Sequence, residues 1–280
     1  MDPASDAFAE PWLAAWRGAA RELQAALEAA PTTVERAREV GRGEGGDMTV
    51  AIDEQAEEIV FGALGRLYDD GHRFTALSEE RGEVDFGDPE VRVVIDPIDG
   101  SLNAKRGLPP HCLSIAVADG PTVGDVALAF VHDFGTGEEW TARRGGGACL
   151  DGRPLDPDLP ERRDRQGRLE MLAVESADPR WVAPAIDDLV GTAHRLRALG
   201  TIALSLCSVA AARVDGMISL RNCRSFDAAA AALVVREAGG HVAFPRCDDP
   251  LGAPLDLEPR SPVAAARTAE TLDVLAGIPD

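Results

Sequence analysis

The sequence predicts a mixed fold in two parts, an α+β segment over 1–157 and an α/β segment over 158–280, and three observations carry that reading. Residues 91–101, Val91-Arg92-Val93-Val94-Ile95-Asp96-Pro97-Ile98-Asp99-Gly100-Ser101, pass from β-branched residues straight into two acids, a proline, a glycine and a hydroxyl. They read as a buried strand that delivers polar groups at its carboxyl end, where open α/β sheets place ligands. Residues 112–152 are dense in short apolar runs separated by glycine turns, the mark of consecutive strands. After a polar, proline-bearing linker at 156–168, strand-length and helix-length apolar patterns alternate to the end of the chain.

Taken in order, residues 8–40 read as a helix. Phe8, Trp12, Leu13, Trp16, Ala20, Leu23 and Leu27 recur at steps of three and four, with an interruption at Pro31-Thr32-Thr33. Gly41-Arg42-Gly43-Glu44-Gly45-Gly46 has the letters of a dinucleotide fingerprint, but it follows a charged helical stretch and opens no helix, so it reads as a mobile loop. Asp47 and then Val50-Ala51-Ile52-Asp53 lead into a second helix with Ala56, Ile59, Val60, Ala63, Leu64 and Leu67 on one face. A short strand at 74–77 ends in Ser78-Glu79-Glu80-Arg81-Gly82. In the central strand Pro97 is expected to stop ladder pairing, and Gly100 to let the backbone pass close to a bound group. Leu102-Asn103-Ala104 begins a short helix whose first N–H groups, at Gly100 and Ser101, form a natural phosphate seat.

Strands follow at 112–118, 123–133 and 138–143, the last two a hairpin around Phe134-Gly135-Thr136-Gly137. Beyond the linker come a strand at 171–174, a helix at 181–192 and a strand at 196–199 leading to Gly200-Thr201. A helix at 202–212, a strand at 216–220 and the basic connector Arg221-Asn222-Cys223-Arg224 precede an alanine-rich helix. That helix opens at Ser225-Phe226-Asp227, runs to Glu237 and stops at Gly239-Gly240. A strand at 263–265 and a helix at 269–276 complete the chain.

Composition narrows the function classes. Hydrophobic residues are 45% and charged residues 27%, ordinary values for a water-soluble chain. No apolar run reaches the ~18 residues a membrane span needs, and the acidic start lacks the basic flank of a secretion signal, so a cytoplasmic protein is expected. The five cysteines and five histidines are scattered, which disfavours structural zinc and a disulfide framework. A net charge of −20 argues against binding nucleic acid or an anionic membrane. Lys105 is the only lysine, a bias that with the many alanines suggests a GC-rich genome, whereas the large excess of acid suggests adaptation to high salt, where self-repulsion is screened. The second is favoured, because codon bias does not by itself produce excess Asp and Glu.

Five acids stand where a strand ends or a helix begins: Asp53, Glu79, Asp96, Asp99 and Asp227. Singly, Asp53 and Asp227 also fit helix-start carboxylates, and Glu79-Glu80 a solvated turn. Together they make one all-oxygen donor set, which selects hard cations such as Mg²⁺. Such ions activate water and neutralise phosphoryl oxygens, and the Ser101 hydroxyl is placed to orient that water. Asp227 standing far from the 96–99 turn, or a guanidinium filling the space among the acids, would overturn the hydrolase reading.

The stretch Asp96-Pro97-Ile98-Asp99-Gly100-Ser101-Leu102-Asn103, with Phe226-Asp227 and Glu237-Ala238-Gly239-Gly240, resembles the motifs of the inositol monophosphatase superfamily of Mg²⁺-dependent, lithium-sensitive phosphatases. The likeness runs from about Asp47 to Gly240. It implies a layered αβαβα sandwich, commonly dimeric, with two or three Mg²⁺ ions, for which Mn²⁺ can substitute. It also implies a direct water attack on a phosphorylated sugar or inositol. By resemblance, Glu79, Asp96 and the Ile98 carbonyl hold one ion, and Asp96, Asp99 and Asp227 a second. Glu79 with Asp53 holds a third loosely, and Ser101 with Asp53 orients the water. Asn103-Ala104 through Leu108-Pro109, and Leu199-Gly200-Thr201, look most like archaeal enzymes acting on both fructose 1,6-bisphosphate and inositol monophosphate. Ser219 falls where animal members carry a glutamate that contacts inositol, which departs from strict inositol specificity. Gly100, Ser101, Gly200 and Thr201 are the expected substrate and phosphate contacts, with Arg197, Arg221 and Arg224 as candidates for a second phosphate. A 3′-phosphoadenosine phosphatase and a catalytically inactive scaffold of the same fold remain alternatives.

Overall fold

The computed structural model describes residues 5–36, 39–42 and 48–278. Ser5 caps helix α1 (Asp6–Ala29) by accepting the Phe8 N–H, and Phe8, Trp12, Trp16, Leu23 and Leu27 are buried along it. Short α2 (Thr33–Arg36) follows, then the antiparallel pair β1 (Glu39–Arg42) and β2 (Met48–Val50), then helix α3 (Ala51–Asp69). Helices α1 and α3 cover one face of a sheet through a core that includes Ile52, Val60, Leu64, Phe74, Val93, Ile95 and Phe130.

That sheet has seven strands in sequence order. They are β3 (Phe74–Ser78), β4 (Gly82–Asp99), β5 (Cys112–Ala118), β6 (Val126–Asp133), β7 (Glu139–Arg143), β8 (Gly147–Leu150) and β9 (Arg153–Pro154). Short α4 (Ser101–Arg106) sits between β4 and β5. Strand β4 folds around β3: Gly82 to Phe86 pair with Ser78 to Phe74 in the opposite sense, and Arg92 to Ile95 pair with Thr75 to Ser78 in the same sense.

The second half supplies β10 (Leu169–Glu175), α5 (Pro179–Val182), α6 (Ile186–Thr192), β11 (Ala193–Arg197), α7 (Ile202–Ala210) and β12 (Gly216–Ser219). It continues through β13 (Cys223–Arg224), α8 (Ser225–Glu237), β14 (His241–Ala243), β15 (Pro259–Ser261), β16 (Ala264–Ala266) and α9 (Ala269–Ala276). A five-stranded sheet runs β11-β10-β12-β16-β14, with β10 parallel to both neighbours. Helices α7 and α8 lie between the two sheets, where Val94, Ala129 and Trp140 from one side meet Ala173, Met217 and Ala265 from the other. On the outer face of the second sheet, Leu189 and Leu275 pack on Leu172, Val174 and Ile218. The layers are therefore α1/α3, sheet, α7/α8, sheet, α5/α6/α9. This is the αβαβα sandwich implied by the resemblance.

Three details depart from the sequence reading. Pairing of β4 with β5 does not stop at Pro97; the register breaks after Asp96↔Ser114 and resumes at Asp99↔Cys112. The proline lacks an N–H, so it makes a local irregularity rather than an end. The helix expected over 181–192 is two pieces, because Pro184 falls between α5 and α6. The strand expected at 196–199 lies at Ala193–Arg197, leaving Leu199 in the turn that precedes α7. The pairing of residues 82–90 and strands β14 and β15 had no sequence signal. Asp47 and most of the glycine loop, Gly43 to Gly46, lie outside the described residues.

Candidate active site

The strand end at Asp96–Ser101 is fixed by short-range contacts. Asp96 Oδ1 accepts the Ile98 N–H at 3.0 Å, turning the chain back on itself. Gly100 has φ +88°, and a Cβ there would meet the carbonyl oxygens of Pro110 at 3.0 Å and Gly200 at 3.2 Å. The close neighbour that demands a glycine is therefore the protein's own backbone, not a bound group as the sequence reading had it. The Asn103 amide donates to Leu199 O at 2.7 Å and Pro110 O at 2.8 Å, tying α4 to the turn before α7.

Around this turn lies a cavity of about 290 Å³ lined by Asp53, Glu79, Glu80, Asp96, Pro97, Ile98, Ser101 and Lys105. The first turn of α3 brings Asp53, and the end of β3 brings Glu79. Asp99 turns the other way. Its Oδ2 accepts the Thr201 hydroxyl and, at 2.7 Å, the Ala203 N–H at the start of α7. Thr201 thus serves Asp99 directly. Its own turn is held by buried Glu175, which accepts Leu199 N–H at 3.0 Å, Gly200 N–H at 2.9 Å and the Ser205 hydroxyl at 2.6 Å.

Asp227, in the first turn of α8, lines a second, larger groove of about 640 Å³ with Ser176, Trp181, Ile202, Arg221 and Arg224. Arg221 lies over the Trp181 ring at 4.7 Å. Arg197 lies on edge strand β11, where its Nη1 donates to Leu196 O at 2.8 Å, and it lines neither space. Buried Ser219 accepts Val263 N–H at 2.9 Å and donates to Arg221 O at 3.0 Å, so its hydroxyl is used inside the protein.

The acids carry the electrostatic signature of a shared site. Burial pushes Asp96 well above the ordinary carboxylate range, and Asp99, Glu79 and Asp227 add to the rise. Burial lifts Asp99 to about 6 against the Thr201 hydroxyl and the Ala203 and Ile202 N–H groups. It lifts Asp227 to about 7, opposed by Arg224. Each rise says first that a carboxylate has been taken out of water, and that Arg224 offsets the loss only in part.

Two cations stand among these acids. Lys105 Nζ is 3.2 Å from Asp53 Oδ2. Arg224 donates from Nη1 to Glu79 Oε1 at 2.6 Å, and its Nε lies 3.2 Å from Asp227 Oδ1. Burial alone would lower the Arg224 guanidinium, but Asp227, Glu79 and Asp96 hold it above its ordinary value. The condition that would tell against a divalent-ion site is thus met in part. Asp227 does lie beside the 96–99 turn, and a guanidinium bridges Glu79 and Asp227. Among the described residues, no three His, Cys, Asp or Glu side chains stand together in a form that holds a metal ion as placed. The donor chemistry still fits one: every candidate ligand atom is an oxygen, and buried Asp227 Oδ1 makes no hydrogen bond, its contact with Arg224 Nε being an ion pair alone.

The structure therefore gathers Asp53, Glu79, Asp96, Ile98 and Ser101 around one cavity, turns Asp99 from the same strand end towards Thr201 and Ala203, and links Asp227 to Glu79 through Arg224. It gives Arg224 two carboxylate partners, which is not the open phosphate contact expected of it. The sequence reading missed Lys105, whose signal was its being the only lysine, one turn past Ser101. It also missed Glu175, an acid closing a strand just as Asp96 does.

The model of the inositol monophosphatase family matches residues 9–277. The fructose-1,6-bisphosphatase/inositol-1-monophosphatase of Methanothermobacter thermautotrophicus is 32% identical over 270 residues, covering 91% of this chain and 93% of that protein. Nus factor SuhB of Escherichia coli (strain K12) is 34% identical over 199 residues, 70% of this chain and 71% of that one. Among solved structures, extragenic suppressor protein suhB from Bartonella henselae superposes with a TM-score of 0.75 at 26% identity, over 94% of this chain and 96% of its own. An inositol monophosphatase–fructose 1,6-bisphosphatase shares the fold with a TM-score of 0.79 at 24% identity, over 95% and 99% of the two chains. With a matching family model over nearly its whole length, a relative of that identity and coverage, and the acid-lined turn in place, the chain belongs to the inositol monophosphatase family.

Proposed function

We propose that this protein is a Mg²⁺-dependent phosphomonoester hydrolase acting on small sugar or cyclitol phosphates, fructose 1,6-bisphosphate and myo-inositol 1-phosphate first among them. The observation that carries the proposal is the cavity walled by Asp53, Glu79 and Asp96 beside the Ile98 backbone and the Ser101 hydroxyl, a set of oxygen donors with the Lys105 ammonium against Asp53. Glu79, Asp96 and the Ile98 carbonyl, then Asp96, Asp99 and Asp227, and more loosely Glu79 with Asp53, are the residues that would hold ions. Bound there, Mg²⁺ supplies a more acidic water and compensates charge on the phosphoryl oxygens.

The chain's own groups do the rest. Ser101 and Asp53 border the same cavity and orient the attacking water, with Asp53 accepting its proton. Thr201 and the Ala203 N–H hold the Asp99 carboxylate in one orientation, and Glu175 holds the turn that carries Thr201. The groove bearing Trp181 and Arg221 takes the part of the substrate that is not hydrolysed, with Arg221 facing a second phosphate. With its hydroxyl spent internally, Ser219 offers no acceptor to a cyclitol hydroxyl, which favours the bisphosphate.

A phosphate-release panel of fructose 1,6-bisphosphate, myo-inositol 1-phosphate and 3′-phosphoadenosine 5′-phosphate, run with Mg²⁺ and with EDTA, tests the proposal. Release should require Mg²⁺ and be fastest with the bisphosphate sugar. Full activity in EDTA would falsify it. Preference for the nucleotide would move the substrate assignment to the adenosine class. No release from any of the three would point to a non-catalytic role for the same fold.

A further inference from the structure

We propose that Arg224 is an internal counter-ion, filling the gap between Glu79 and Asp227 in the metal-free protein and leaving it when a divalent ion arrives. The inference rests on reading the acid cleft as an ion site, and it explains why the cleft is not ion-ready as it stands. The guanidinium reaches Glu79 Oε1 at 2.6 Å from the first half of the chain and Asp227 Oδ1 at 3.2 Å from the second. One side chain thus draws the two walls of the cleft together. Its plane is backed by the buried Phe226 ring, 5.2 Å away, so it is guided into the gap rather than merely adjacent to it.

Charge decides that this occupancy is replaceable. Asp99, Glu79 and Asp227 act on Asp96; Asp99 and Glu79 act on Asp227; and Arg224 opposes the rise at Asp96, Asp99 and Asp227 alike. One positive charge among four carboxylates leaves most of the repulsion standing, and a divalent ion brings twice the charge in a smaller volume. Glu79 Oε1, which the guanidinium holds at 2.6 Å, is the oxygen for which ion and guanidinium compete. Arg224 also lines the 640 Å³ groove, which gives the displaced side chain a place to go. There it joins Arg221 as a second cation facing the substrate. Arg224 is accordingly a positioning residue for the metal centre in one state and a groove residue in the other.

Such competition taxes metal affinity by the fraction of molecules in which the guanidinium is already out. Mn²⁺ binding measured by calorimetry on the wild type and on Arg224→Met tests it, with thermal unfolding recorded in EDTA and at saturating Mn²⁺. The expected result is that Arg224→Met binds Mn²⁺ about tenfold more tightly, melts lower than the wild type in EDTA, and loses that deficit when saturated. A merely structural arginine would leave the affinity unchanged or weaken it, and that outcome overturns the inference while leaving the ion site intact. Failure of Mn²⁺ to bind either protein removes the ion site itself, and the inference with it. Should Arg224→Met not fold without metal, Arg224→Lys keeps the charge but lacks the fork that spans both acids. It should bind Mn²⁺ more tightly than the wild type, and equal affinity would overturn the proposal.

Discussion

From Ala228 to Ala232 helix α8 is enclosed by apolar atoms of both sheets, whereas one residue earlier Asp227 faces a guanidinium and a set of other carboxylates. The two contacts serve one another. Alanine side chains let the helix approach the seven-stranded sheet closely, and Glu237 anchors its far end by accepting the N–H groups of Gly145 and Gly147, each at 2.9 Å. A helix held at that end by packing and hydrogen bonds cannot retreat when its first turn is repelled. Burial, with Asp99 and Glu79 adding to it, therefore shows at Asp227 as raised proton affinity rather than being released by movement. The acid-lined cleft needs the dry interface behind it.

Substitutions on the two sides of that comparison should separate cleanly. Asp96→Asn removes the most buried of the facing acids and should cut Mg²⁺-dependent phosphate release by more than about 100-fold, beyond the range for residues that only support ligands. It should also raise the melting temperature in EDTA; a fall would mean that the acids do not strain the apo protein. Thr201→Val takes the hydroxyl donor from Asp99, leaving the Ile202 and Ala203 N–H groups, and should cost about 10–100-fold in activity or Mn²⁺ affinity, with about 1 kcal/mol of stability from the lost cap on α7. On the dry side, Ala231→Leu overfills a fully buried position and should cost about 1–3 kcal/mol in urea denaturation. If it proved neutral, close approach of α8 would not be what holds the cleft rigid.

A smaller effect follows from Glu57, buried beneath Arg81 and raised to about 7, first by burial. The folded protein holds this proton more tightly than the unfolded chain. Its stabilising contribution is therefore complete below the unfolded value of 4.5 and is lost as pH rises through about 7. Glu57→Gln should flatten that decline by on the order of 1 kcal/mol, read as the melting temperature between pH 5 and 8. Smallest is the response to salt. With a net charge of −20, stability should rise modestly between ~0.1 and ~1 M KCl as the screening length falls from ~10 to ~3 Å. A flat response would remove the argument for salt adaptation.

What was legible in the sequence was local. Strand β5 falls at Cys112–Ala118 as the unbroken apolar run requires, and α8 opens at Ser225 and ends before Gly239 because a helix-start acid and a terminal glycine punctuate the pattern. The Asp96–Ser101 turn declared itself through residue types that fit no ordinary strand. Residues 82–90 were not legible, because their pairing depends on β3, a neighbour that precedes them and wraps inside β4. Neither was the use of each acid, since a carboxylate reads the same in sequence whether it caps a helix, meets an arginine or awaits an ion.

The sequence by itself determined that this chain has a strand ending in two acids, an alanine-rich helix opening with a third, and an oxygen-only set of candidate ligands, because periodicity and residue chemistry are local properties. Only the tertiary structure decided that Asp99 turns to Thr201, that Gly100 is demanded by Gly200 and Pro110, and that Arg224 lies between Glu79 and Asp227. Asp99 and Thr201 stand 102 positions apart and Glu79 and Arg224 145, distances that the packing of α7 and α8 between two sheets sets and no spacing along the chain encodes.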